Sequence, residues 1–105
     1  MALHHVAPGE RFHLPSVEDS GAKTAALVKT DGFEVAQLVL REGDVIAAHA
    51  VPGYAIIHCL QGSVMLDAAG STSLSAGDWI YLDRGERHSL SAREDASLLV
   101  TILFE

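Results

Sequence analysis

Hydrophobic and polar positions along this chain fall into short segments punctuated by glycine. Glycines stand at positions 9, 21, 32, 43, 53, 62, 70, 77 and 85, a turn signal roughly every ten residues, which argues for many short strands in a sandwich or barrel. Thr24–Thr30 and Phe33–Leu40 flank Asp31-Gly32, a dipeptide suited to a hairpin turn. Ala55–Leu60 and Ser63–Asp67 meet at Gln61-Gly62, Trp79–Leu82 follows Ala76-Gly77-Asp78, and Ala96–Phe104 forms a last apolar strand. Alternation is broken at Ile56-Ile57 and at Leu98-Leu99-Val100. Such runs predict strands covered on both faces, by the barrel interior on one side and a second sheet, chain or subunit on the other. Ser16–Ala26, interrupted by Gly21, is the one stretch where a short helical turn is expected. Residues 1–15, with two prolines, read as an extended arm or first strand.

At 105 residues the pattern is that of one domain, 1–105, long enough to bury a core without a disulfide framework. Seven basic against fourteen acidic residues give a net charge of −7. The basic residues are scattered singly, so neither nucleic acid nor an anionic membrane is an expected partner. Cys59 is the only cysteine. It permits no intrachain disulfide and reads first as a small buried hydrophobe. No apolar run is long enough to span a bilayer as a helix, and the opening residues lack a signal-peptide pattern; a soluble cytoplasmic protein is expected.

Two histidines sit in glycine frames. The first reads Gly43-Asp-Val-Ile-Ala-Ala-His49, then Pro52-Gly53 and Gly62. The second reads Gly77-Asp-Trp-Ile-Tyr-Leu-Asp83-Arg-Gly85-Glu-Arg-His88. Over about residues 36–104 this order resembles the two motifs of the cupin superfamily, in its small single-domain form. The resemblance implies an all-β antiparallel jelly-roll barrel (a double-stranded β-helix), with His49 and His88 pointing into it, and a homodimer built by sheet packing. It also implies a metal site for iron, manganese, zinc or nickel, with His49 and His88 as ligands. The other two ligand positions fall on Val51 and Ala55, and the proline and asparagine positions of the second motif fall on Asp83 and Ala92. A stable metal site takes three or four ligands, so a third would have to come from elsewhere: Cys59, Gln37, Tyr54 or His58. Strand parity puts Ala55, Ile57 and Cys59 on one face and Tyr54, Ile56 and His58 on the other. If the Ala55 face is the interior, Cys59 is the better-placed candidate.

The expected pocket is therefore lined by His49 and His88, with Gln37, Tyr54, Cys59 and the aromatics Trp79 and Tyr81 as further candidates. The aromatics could stack on a planar or sugar-like ligand, or serve as ordinary core or interface residues. His4, His5, His13 and His58 read as surface or interface residues. Three functions remain open: a small-molecule-binding or sensing module with an incomplete metal site, a metal-dependent enzyme of dioxygenase, isomerase or decarboxylase type, or a structural homodimer.

Overall fold

The computed structural model describes residues 5–104; His4 lies outside them. Nine strands follow in order: β1 (Ala25–Lys29), β2 (Phe33–Leu40), β3 (Val45–His49), β4 (Tyr54–Gln61), β5 (Ser63–Asp67), β6 (Ser71–Ser75), β7 (Trp79–Leu82), β8 (His88–Ala92) and β9 (Ala96–Leu103). Among the described residues there is no helix, and hence none long and apolar enough to cross a membrane. One sheet has the order β1-β2-β9-β4-β7 and the other β3-β8-β5-β6, with every pairing antiparallel. Only β1–β2 and β5–β6 are joined within a sheet; every other connection changes sheet, the wiring of a jelly roll.

The glycine punctuation marks these corners. Gly62 does not close a hairpin between β4 and β5, since the two strands lie in different sheets. It has φ of 74°, and a Cβ there would run into the carbonyl of Asp95. Only glycine meets both conditions. At Gly53 a Cβ would likewise strike the backbone of Leu103.

Strand β4 carries the core. Ala55, Ile57 and Cys59 are 2, 1 and 0 % exposed and alternate with half-buried neighbours, as parity predicts. They meet Leu98 and Ala96 of β9, and Val64, Leu66, Leu74, Leu90 and Ala92 of the facing sheet. The polar stretch Ser71–Ser75 carries little hydrophobic signal, yet it is a strand, because β5 supplies its ladder and Leu74 its one buried side chain.

The broken alternation at Leu98-Leu99-Val100 has a local cause. Leu98 faces the interior, while Leu99 lines an outer groove with Val6, Phe12, Leu14, Leu27 and Val35. The second cover is thus the chain's own N-terminal segment. This segment is tied down by Val6 N donating to Leu27 O at 2.7 Å and by Gln37 Nε2 donating to Pro15 O at 2.9 Å. The helical turn expected in Ser16–Ala26 does not form. Asp19 caps a single turn by accepting from Ser16 N at 2.8 Å, and Gly21, at φ 83°, carries the chain out of it.

One end of the barrel is plugged. Val17, buried among the core residues, donates its N–H to Gln61 Oε1 at 2.9 Å, and its carbonyl accepts from Arg41 Nη1 at 2.7 Å. The other end is open.

Candidate functional site

The open end is set by strand direction. β2 runs from Phe33 at the mouth to Leu40 at the plugged end, and β3 returns from Val45 to His49. The register places Glu34 beside Ile102, and Ile102 beside Ala55. Opposite them, His49 pairs with His88, and Ile46 with Leu90. Between these pairs β3 has one residue more than β8. This bulge reverses the alternation, so that His49 joins Ile46 on the interior side instead of opposing it.

The two rings are 4.5 Å apart between centroids, tilted by 53°. His88 is 6 % exposed, while His49 sits at the rim, open to solvent. Each ring is fixed in the same way, its Nδ1 meeting a backbone carbonyl two residues earlier: Ala47 O at 3.1 Å for His49 and Glu86 O at 3.0 Å for His88. A carbonyl only accepts, so Nδ1 carries the proton and donates in both. In the neutral ring Nε2 is then a bare acceptor. Among the described residues no buried side-chain nitrogen or oxygen lacks a partner, so the Nε2 of His88, which has no partner in the protein, opens onto the cavity.

That cavity measures about 220 Å³. Glu34, Ala36 and Leu38 of β2, Val100 and Ile102 of β9, and Ala55 and Ile57 of β4 form one wall; Ile46, Val51 and Leu90 join the histidines on the other. Its polar groups are two imidazoles and one carboxylate. Glu34 was not among the expected site residues. Its signal was its parity with Leu38 and Leu40, an acid on the inward face of a strand. Lys29 Nζ approaches Glu34 at 3.6 Å but is 65 % exposed, and such surface pairs hold weakly.

The remaining candidates lie elsewhere. Gln37 is on the outer face of β2, buried under the N-terminal segment, and donates to Pro15 O and to Ser97 Oγ, each at 2.9 Å. Cys59 does point inward, but towards the plugged end, where its Sγ lies 3.5 Å from Gln61 O. Burial, and secondarily the Asp78 carboxylate, raises its thiol pKa, which keeps the poorly ligating protonated form. Tyr54 faces outward with the Arg84 guanidinium 5.1 Å above its ring. Trp79 and Tyr81 are each 58 % exposed on the outer face of the five-stranded sheet, their rings 6.3 Å apart. His58 pairs with Trp79 on that same face. Sequence parity separated these faces correctly but did not say which end of the barrel opens.

Val51 and Ala55 do line the cavity, so the two ligand positions of the cupin pattern are in place but supply methyl groups. Among the described residues no three His, Cys, Asp or Glu side chains gather closely enough to hold a metal ion. The donors present do not fit a resident metal.

No protein family matches the sequence, nor does any curated protein. The fold has clear counterparts among solved structures. A cupin superfamily protein of Desulfitobacterium hafniense superposes over 100 % of both chains with a TM-score of 0.81 at 15 % identity. A conserved Streptococcus pyogenes protein of unknown function matches over 100 % of this chain and 98 % of its own, with a TM-score of 0.78 at 19 % identity. An RmlC-like cupin from Methanocaldococcus jannaschii, a double-stranded β-helix, covers 82 % of this chain and 84 % of its own, with a TM-score of 0.73 at 16 % identity. The chain therefore has the cupin fold, a small jelly-roll barrel.

Proposed function

We propose that this protein is a small-molecule-binding module whose ligand enters the open end of the barrel and is held by His49 and His88. The observation that carries this reading is the pair of imidazoles, each oriented by a carbonyl through Nδ1 and each with Nε2 free, above an aliphatic slot. Convergent polar groups over an apolar cavity are the usual form of a ligand site. At about 220 Å³ the slot holds roughly seven waters' worth of volume at ~30 Å³ each, so the ligand is small. Metal analysis of protein purified without a histidine tag is the direct check. Iron, manganese, zinc or nickel well below one per chain is expected, whereas near-stoichiometric metal that disappears in His49→Ala would sink the reading in favour of a metalloenzyme.

A second reading, compatible with the first, is that the barrel works as a homodimer joined through the outer face of the five-stranded sheet. It is favoured by Trp79 and Tyr81, adjacent on that face and each 58 % exposed, since large exposed aromatics side by side are characteristic of protein contacts. Light scattering should give twice the chain mass, reverting towards a monomer in Trp79→Ala; a monomer at micromolar concentration would exclude it.

A further inference from the structure

The polar groups at the mouth restrict the chemical class of the ligand, and this inference rests on the binding-module reading above. Both imidazoles spend their Nδ1 proton on backbone carbonyls, which leaves two bare Nε2 acceptors. The third polar lining group, Glu34, is a carboxylate and only accepts. A neutral-state mouth composed wholly of acceptors disfavours an anion and calls for a ligand that donates. The nearby cations do not alter this, because none of them lines the cavity. Arg87 Nη2 donates to Ala48 O at 3.3 Å, Arg84 stacks on Tyr54, and Lys29 lies outside against Glu34.

A bare metal ion is the most compact such ligand, but the three groups are too dispersed to share one. An organic head group, with its donors fanned outward, suits a wider spacing. An ammonium carries three N–H donors and no acceptor; two can meet the imidazoles while Glu34 supplies a counter-charge at the rim. Beneath, Ile46, Leu90, Ile57, Val100 and Leu38 offer only aliphatic contact, with no aromatic ring to stack on a planar body. We infer that the cavity takes a small aliphatic amine, its ammonium at the His49–His88–Glu34 mouth and its branched hydrocarbon tail in the slot.

Three probes with one carbon skeleton test this: isoamylamine, isoamyl alcohol and isovalerate, titrated into the full chain in mildly alkaline buffer and followed by amide NMR. The expected result is that the amine binds about tenfold or more tighter than the alcohol, moving resonances of the cavity strands, with the carboxylate weakest. Glu34→Gln, a near-isosteric change on a side chain 26 % exposed, should bring amine and alcohol to similar affinity, chiefly by weakening the amine. His49→Gln should weaken both. Isovalerate binding as tightly as the amine, or an amine preference unchanged in Glu34→Gln, would overturn the ligand class while leaving the pocket itself standing. If none of the three perturbs the cavity strands, both the ligand class and the binding-module reading fall.

Discussion

The two ends of this barrel are built from the same strands and differ in what becomes of their polar groups. At the plugged end Gln61 is doubly engaged, accepting from Val17 N at 2.9 Å and donating to Ser16 Oγ at 3.0 Å, and Arg41 clamps the Val17 carbonyl. At the mouth, His49 and His88 have one nitrogen satisfied and one spare. A buried polar group normally finds a partner within the fold, and the plugged end follows that rule. The mouth keeps acceptors that serve no strand, turn or cap. The difference separates side chains that hold the barrel shut from those left available to something outside it.

Substitutions can break this comparison, and the largest effect should come from the core between the ends. Leu98 is fully buried, so Leu98→Ala should cost about 2–5 kcal/mol in urea unfolding and impair both ends alike. Next come the two ends themselves. Gln61→Ala strips two hydrogen bonds from the plug and should destabilise by about 1–3 kcal/mol without altering ligand affinity. His88→Ala should abolish binding at a smaller stability cost than Gln61→Ala. The reverse order would mean that the histidines are structural and the contrast between the ends is false.

The smallest effect concerns pH. Burial raises the Cys59 thiol above its ordinary 9.0. Folded and unfolded chains therefore both hold the proton below pH 9.0, where the stability associated with this group is complete. Above it the unfolded thiol ionises first, so stability falls as pH rises towards the folded value. Chemical denaturation on either side of pH 9.0 should show this decline, and Cys59→Ala should diminish it. A decline identical in the variant would locate its cause elsewhere. In native protein the thiol should also react slowly with alkylating reagents.

Much of the architecture could be read from residue pattern. Asp31-Gly32 marked the β1–β2 hairpin, and the parity of β4 put Ala55, Ile57 and Cys59 inside. Gly62 marked a corner, although its role in changing sheets depends on Asp95, more than thirty residues later, which local pattern does not encode. The site was less legible. His49 and His88 were found from their frames, but Glu34 was obscured because the hairpin signal beside it dominated that segment. Gln37 was a candidate for the pocket, yet it is a buried amide on the outer face of β2. The partners are Pro15 and Ser97, brought together only once the N-terminal segment folds across the sheet. Trp79 and Tyr81 share a face as expected, and the choice between interior and exterior for that face is made by β4, to which they are paired.

The bulge in β3 has a consequence of its own. Because His49 follows Ile46 by three residues and reaches the interior only where the bulge absorbs one of them, the meeting of the two imidazoles depends on how β3 pairs with β8 as well as on side-chain identity. Removing Ala48 would leave His49 two residues after Ile46, where unbulged alternation still turns it inward, whereas pairing the present strand without the bulge would turn His49 out to solvent. The recognition chemistry and the scaffold are thus separable: straightening the bulge without shortening the strand would disarm the mouth while the nine-stranded frame stays intact.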